Sequence, residues 1–99
     1  MTVSKQRIDD KLTVTLTGRL DGTNSMDLEQ ELKPALAGVK ELVLDLEGLE
    51  YISSAGLRVI LSCQKVMNDQ GTMTVLKPTE LVMAVFTITG MDSLLTIVD

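Results

Sequence analysis

Two adjacent serines, Ser53 and Ser54, are the side chains whose setting most suggests chemistry. They stand in the stretch YISSAGLRV, residues 51–59, where an apolar strand-like run gives way to helix-like spacing of apolar residues. A hydroxyl at such a junction can cap the helix, attack a substrate or accept a phosphate. The other residues of the chain must decide among these three roles.

Catalysis by either serine lacks the necessary partners. The sequence contains no histidine, which excludes Ser-His-Asp and Cys-His catalysis, His-ligated metal sites and phosphohistidine relays. The G-x-S-x-G frame of a nucleophile elbow and the G-K-[ST] of a Walker loop are also missing. We therefore expect no enzyme, no catalytic residue, no metal site and no cofactor. The alternative, a serine-dependent hydrolase, would turn over an activated ester and lose that activity in Ser54→Ala.

A helix N-cap is the ordinary interpretation of the serine pair, because a serine oxygen there accepts a hydrogen bond from a nearby backbone N–H. Two features favour more than a cap. One serine suffices for capping, and Gly56 occupies the first helical turn, where glycine costs about 1 kcal/mol relative to alanine. Such a glycine indicates that something approaches the backbone closely. A phosphate on Ser54 would lie at the positive end of the helix dipole and need not unfold the domain.

Charge and composition limit the partners. The 99 residues carry a formal net charge of −5 without a basic cluster, so we expect no nucleic-acid partner. A basic patch on a partner protein is a better match. No apolar stretch approaches the roughly 20 residues that cross a bilayer, and Met1–Arg7 lacks the apolar core of a secretion signal. The expectation is a cytoplasmic protein without a membrane partner.

A chain of this length forms one domain, residues 1–99, around a single core. Tyr51 and Phe86 are the only aromatic residues, so leucine, valine, isoleucine and methionine must build that core. Cys63 is the only cysteine, and its apolar neighbours predict a small buried side chain.

Alternation predicts a strand over 11–17 that ends at Gly18, paired in a hairpin with a weaker strand over 3–8. Leucines four residues apart then predict a helix from residue 24 or 25 to 36. Pro34 lies inside this helix and is expected to kink it or shorten it by a turn.

The second half of the chain continues the alternation of strands and helices. Pro78 is expected at the first position of the last helix, although its residues VFTIT also favour a strand. The order β-β-α-β-α-β-α with a short last strand predicts an α/β domain, a mixed sheet of four to five strands with helices packed against it. The predicted elements are a short strand over 42–46, a helix over 54–68, a strand over 72–77, a helix ending at Gly90 and a short strand within 94–98.

Four stretches, in this order, resemble a STAS domain, the family of bacterial anti-sigma factor antagonists. They are TGRLDG (17–22), LVLDLEGLEYISSAGLRVIL (42–61), QGTMTVLKPTELVMAVFTITG (70–90) and LLTIVD (94–99). Together they are distributed from residue 17 to residue 99 and contain 53 of the 99 residues. The resemblance implies a STAS-like α/β fold in a single domain.

The resemblance also implies a function: binding an anti-sigma factor so that a sigma factor is released. In the family that partner is an ATP-dependent serine kinase, which phosphorylates a serine at this junction and thereby stops binding, and a serine phosphatase restores it. The family pattern is Asp, phosphorylated Ser, Ser or Thr, Gly, Leu, which assigns phosphorylation to Ser54, followed by Gly56 and Leu57. Ser53 stands at the Asp position and is a rival acceptor, and Ala55 stands at the Ser or Thr position.

The partner-binding residues implied by the resemblance surround the phosphoacceptor. Asp21 matches an acidic position near the switch loop, with a plain loop residue as the alternative. Arg58 either contacts a partner or a phosphate, or lies on a solvated helix face. A second hypothesis keeps the fold without phosphorylation, as a structural or regulatory subunit of a lipid-transport or stress-signalling complex. The implied set is Asp21, Ser53, Ser54, Ala55, Gly56, Leu57 and Arg58.

Overall fold

Strands and helices alternate along the chain after an initial hairpin, as the periodicity predicts. The structure, a computed structural model, describes residues 1–99. Its elements in chain order are β1 (Thr2–Ile8), β2 (Lys11–Leu20), α1 (Ser25–Ala35), β3 (Glu41–Ile52), α2 (Ser54–Gln70), β4 (Thr72–Leu76), α3 (Glu80–Thr89), a 3-10 helix (Met91–Ser93) and β5 (Ile97–Val98).

The five strands form one mixed sheet in which they lie side by side in chain order, β1-β2-β3-β4-β5. β1 is antiparallel to β2, and the remaining neighbours are parallel. Right-handed crossovers between successive parallel strands place all three helices on the same face of the sheet. The burial of β2 is consistent with helices on one face of the sheet only, because Leu12, Val14 and Leu16 are buried while the threonines between them are not. The predicted α/β fold is confirmed.

Two strands are longer than predicted, and both extensions reach the serine pair. Gly18 does not end β2; it adopts a left-handed φ of +104°, and the pairing with β3 shifts register just after it. Such a bulge bends a strand without terminating it. β3 continues past Leu46 to Ile52, so that Leu20 and Ile52 are register partners at the ends of the two strands. Residues 51–52 are therefore strand, and the helix begins directly after Ser53.

The two prolines lie differently from the prediction. Pro34 is in the last turn of α1, so the helix continues to Ala35 instead of losing a turn. Pro78 precedes the α3 N-cap, which is Thr79. The Thr79 hydroxyl accepts a hydrogen bond from the Val82 N–H and also donates to the Leu49 carbonyl at 2.9 Å. This second bond anchors the start of α3 to β3. The segment is a helix and not a strand.

The core lies between the sheet and the helices and contains 24 buried apolar residues. Phe86 is its only aromatic residue, and Cys63 is buried within it, as predicted. None of the helices combines the length and the apolar character needed to span a membrane.

Cys63 provides a probe of how firmly α2 packs. Burial, followed by the nearby Glu29 carboxylate, raises the pKa of the Cys63 thiol to about 11. Because the thiolate is the reactive form, we expect no reaction of the native protein with a disulfide reagent at neutral pH, and full reaction in urea. Rapid labelling of the native protein, followed by absorbance, would show instead that α2 opens readily.

Candidate functional site

The serine pair lies at the junction between β3 and α2. Ser53 is the N-cap of α2, in extended backbone geometry, and its Oγ accepts a hydrogen bond from the Gly56 N–H at 3.2 Å. The Ser53 N–H donates to the Leu20 carbonyl at 2.9 Å, which ties the junction to β2. The capping interpretation therefore applies to Ser53, whose side chain is partly buried.

Ser54 is the first residue of α2 and is exposed. Its hydroxyl makes none of the side-chain hydrogen bonds in the chain, and the first turn of α2 contains no acidic residue. The two serines thus differ in geometry, since one oxygen is engaged with the helix backbone and the other is free. This arrangement leaves an accessible hydroxyl beside an uncompensated positive helix end.

Gly56 is buried, and its surroundings leave no room for a larger side chain. A Cβ at this position would lie 2.7 Å from Leu20 Cγ and 2.9 Å from Ile52 Cγ1. The close approach that the glycine predicts is therefore an internal one, in which the first turn of α2 sits directly on the ends of β2 and β3. Leu57, the next residue, is buried as well. Because Gly56 and Leu57 are both buried, neither residue offers a large exposed surface. Direct contact of either residue with a partner remains a prediction.

Asp21 organises the turn between β2 and α1. One of its carboxylate oxygens accepts hydrogen bonds from the Thr23 hydroxyl at 2.6 Å and the Thr23 N–H at 2.9 Å. These bonds, together with the charge of Arg19, hold the pKa of the Asp21 carboxyl below its usual value. The Asp21 N–H donates in turn to the Asn24 side chain at 3.0 Å. Asp21 is thus a turn-forming residue whose carboxylate stays ionised.

A cleft of about 310 Å³ lies between α1 and α2 and contains part of the predicted set. Arg58 is exposed there and makes no ion pair, whereas Glu29 across the cleft pairs with Lys33 at 3.7 Å. Met26 is 71% exposed although it is a large apolar residue. The cleft is lined by Gly22, Ser25, Met26 and Glu29 on one side and by Ala55, Arg58 and Val59 on the other.

Sequence reasoning missed the α1 side of this cleft. Met26 lies outside the leucine stripe that marks the buried face of α1, and that position is the signal that could have revealed it. A second missed feature is the Arg19 guanidinium, which lies 4.3 Å from the centre of the Tyr51 ring and so joins the ends of β2 and β3. No sequence signal could have revealed that pair, because it depends on the strand register.

The order of strands and helices and the strand-to-helix junction match a known class of domain. The family model described as "Mlab, STAS domain" matches residues 3–97, and the chain belongs to the STAS domain family. It is 38% identical over 96 residues to BtrV of Bordetella bronchiseptica, a candidate anti-sigma factor antagonist, across 95% of this chain and 83% of BtrV.

Solved structures share the fold. The unphosphorylated form of the anti-sigma factor antagonist SpoIIAA gives a TM-score of 0.85 at 18% identity, with 99% of this chain and 89% of that chain covered. The phosphorylated form of SpoIIAA from Bacillus gives a TM-score of 0.77 at 17% identity, with 99% of this chain and 92% of that chain covered. At these identities the likeness establishes the fold alone.

The packing beneath the site predicts the effect of Gly56→Ala. The new methyl group collides with Leu20 and Ile52, and the better helix propensity of alanine offsets only part of that cost. We expect the free energy of unfolding to fall by about 1–2 kcal/mol, measured by urea titration at an unchanged m-value. Gly22→Ala is the control, because a Cβ there meets open space. Equal stability of both variants would mean that the α2 turn does not depend on the glycine.

The two serines are expected to respond differently to removal of the hydroxyl. Ser53→Ala loses the cap bond to Gly56 and should lower the free energy of unfolding by about 1 kcal/mol. Ser54→Ala removes an unbonded, exposed hydroxyl and should change it by less than about 0.5 kcal/mol. Thermal and urea unfolding of the two variants measure this difference. The opposite ranking would assign the cap to Ser54.

Proposed function

We propose that this protein is an anti-sigma factor antagonist that is switched off by phosphorylation of Ser54. It binds an anti-sigma factor at the docking corner, by which we mean the β2–α1 turn, the cleft between α1 and α2, and the first turn of α2. The observation that carries the proposal is the free, exposed Ser54 hydroxyl next to a helix end that Ser53 already caps. Membership of the STAS family and the identity to BtrV support it.

The partner in this proposal is an anti-sigma factor that is also an ATP-dependent serine kinase, and a serine phosphatase reverses its action. Geometry favours Ser54 over Ser53 as acceptor. Transfer to Ser53 would require its oxygen to leave the Gly56 N–H, which costs the capping energy of about 1 kcal/mol. Transfer to Ser54 breaks no hydrogen bond of the protein.

The mechanism follows from what a phosphate does at this position. It adds about −1.5 to −2 charges at the N-terminus of α2, where the helix dipole and the absence of first-turn carboxylates favour an anion. Arg58 lies one turn further on, without an ion-pair partner, and adds favourable charge. The domain therefore stays folded. A docked partner covers Ser54, and burying a dianion there costs far more than burying a hydroxyl, so binding is lost.

A second candidate is a STAS module that is never phosphorylated and serves as a structural or regulatory subunit of a lipid-transport or stress-signalling complex. Ser53 and Ala55 favour it, since they replace the Asp and the Ser or Thr of the family pattern. In this hypothesis the docking corner binds its partner permanently and Ser54 has no special role.

Phosphate transfer separates the two candidates. We expect the protein to gain one phosphate when it is incubated with ATP and the anti-sigma factor kinase that binds it. Ser53→Ala should still be labelled and Ser54→Ala should not, as read from intact mass. Labelling of Ser54→Ala would move the acceptor to Ser53. No labelling of the wild type by a kinase with demonstrated ATP turnover would favour the structural role.

Measuring how tightly a Ser54 variant binds the kinase tests whether a negative charge at residue 54 prevents docking. We expect Ser54→Asp to weaken binding of that kinase at least about tenfold, or about 1.4 kcal/mol, while its thermal unfolding stays close to wild type. Ser4→Asp places the same charge on an exposed serine of β1 and should bind like wild type. Tight binding by Ser54→Asp, or its unfolding, contradicts the proposal.

A further inference from the structure

The cleft between α1 and α2 contains a nearly buried hydroxyl group without a partner. Ser25, the first residue of α1, lines this cleft with only 7% of its surface exposed. Its hydroxyl makes no hydrogen bond with the protein, and the only unbonded polar side-chain atom that is fully enclosed is Gln64 Oε1. The Ser25 oxygen is therefore open to the cleft. Because buried polar groups normally have a hydrogen-bond partner, this hydroxyl is suited to a partner from outside the chain.

The opposite wall of the cleft carries a positive charge. Arg58 lines this wall, is exposed and makes no ion pair. The other charged residue of the lining is Glu29, whose carboxylate lies 3.7 Å from the Lys33 ammonium group and is partly neutralised by it. Arg58 is thus the only charged residue of the lining without an ion-pair partner, although the whole chain has a net charge of −5. A guanidinium with free N–H donors binds an anion best.

The starts of the two helices add to the attraction for an anion. Because α1 and α2 follow neighbouring parallel strands, both helices begin at the same edge of the sheet, with the cleft between their first turns. Asp27 compensates part of the positive end of α1, whereas the first turn of α2 contains no acidic residue. The Ser53 cap satisfies only one of the free backbone donors of α2. The dipole of α2 therefore favours a negative charge in the cleft.

The size of the cleft and its apolar residues indicate which group carries the anion. A volume of about 310 Å³ is at the lower limit for a small-molecule site and has room for one or two side chains. Met26 lines the cleft and is 71% exposed, so an apolar group of a ligand can pack against its thioether. One guanidinium matches the single charge of a carboxylate, whereas a phosphate dianion would leave a charge uncompensated. An acidic side chain beside an apolar one fits these features.

We infer that this cleft binds an acidic side chain, next to an apolar one, on the surface of the docked partner. The Arg58 guanidinium and the Ser25 hydroxyl donate hydrogen bonds to the carboxylate, and Met26 packs against the apolar neighbour. That the partner is an anti-sigma factor kinase rests on the proposed function, but the preference of the cleft for an acidic group does not. A protein with a neutral side chain at this point is rejected, because docking would cover Arg58 without pairing it.

A peptide titration tests the cleft without the partner. The probe is N-acetyl-glutamyl-leucinamide, and the control is N-acetyl-glutaminyl-leucinamide, which has the same size and no charge. We expect the acidic peptide alone to shift the amide NMR signals of Ala55 and Val59 to saturation, because both residues line the cleft. Arg58→Gln should weaken this binding at least about tenfold, the loss expected for a hydrogen-bonded charge pair. No saturable shift, or equal shifts with both peptides, overturns the inference.

The same substitution tests the cleft with the whole partner. Arg58→Gln should weaken binding of the anti-sigma factor kinase at least about tenfold. Lys65→Gln is the matched control and should bind like wild type, because it removes the same charge from an exposed position of α2 that does not line the cleft. Wild-type affinity in Arg58→Gln overturns the inference and leaves the proposed function intact. A wild type that does not bind the kinase contradicts the proposed function, and the peptide titration still decides the inference.

Stability separates a ligand-binding hydroxyl from a structural one at Ser25. Ser25→Ala removes a hydroxyl that has no partner in the protein, so its thermal unfolding midpoint should equal or exceed that of wild type. Its affinity for the acidic peptide should fall at the same time. A lower midpoint with unchanged peptide binding would show that Ser25 serves the fold, and would contradict its assignment to the carboxylate.

Discussion

The hydrogen bond from the Gly56 N–H to Ser53 Oγ is the contact on which the rest of the site depends. It satisfies one of the backbone donors that a helix N-terminus leaves open, and it commits Ser53 to a structural role. Ser54 is then left as the first helical residue with a free hydroxyl. Gly56 contributes to the same site, because the absence of a Cβ allows the first turn of α2 to pack against Leu20 and Ile52.

The lengths of two strands determine what surrounds that turn. β2 continues through the bulge at Gly18 to Leu20, and β3 continues to Ile52, so both end at the junction. The Asp21 turn and the start of α1 are thereby held beside α2, with the cleft between them. The free hydroxyl, the ionised Asp21 and the unpaired Arg58 consequently share one corner of the molecule. A partner can cover all three in a single contact.

Most of the strands and helices can be predicted from the sequence. The boundaries that were predicted wrongly have physical explanations. Alternation and helical spacing predict the five strands and the three α-helices, most of which bury one face, but not the 3-10 helix Met91–Ser93. The end of β2 at Gly18 was wrong because a left-handed glycine can form a bulge inside a strand as readily as a turn. Pro78 was misplaced by two positions because Thr79 supplies a better cap.

The candidate site, like the fold, could be predicted from the sequence only in part. The family pattern singled out Ser54, but two neighbouring serines have equal chemistry, and only the geometry shows which oxygen is engaged. The cleft and the Arg19–Tyr51 contact join residues from different elements, so they depend on register and helix packing that no local pattern specifies.

Hydrogen exchange of the protein phosphorylated at Ser54 tests the central claim most directly, namely that a phosphate is added to an intact scaffold. The Gly56 amide and the amides of α2 should keep at least the protection they have in the unmodified protein, because the cap at Ser53 is untouched and the dipole favours the anion. Loss of protection across the first turns of α2 would contradict the account, since the modification would then act by melting the helix.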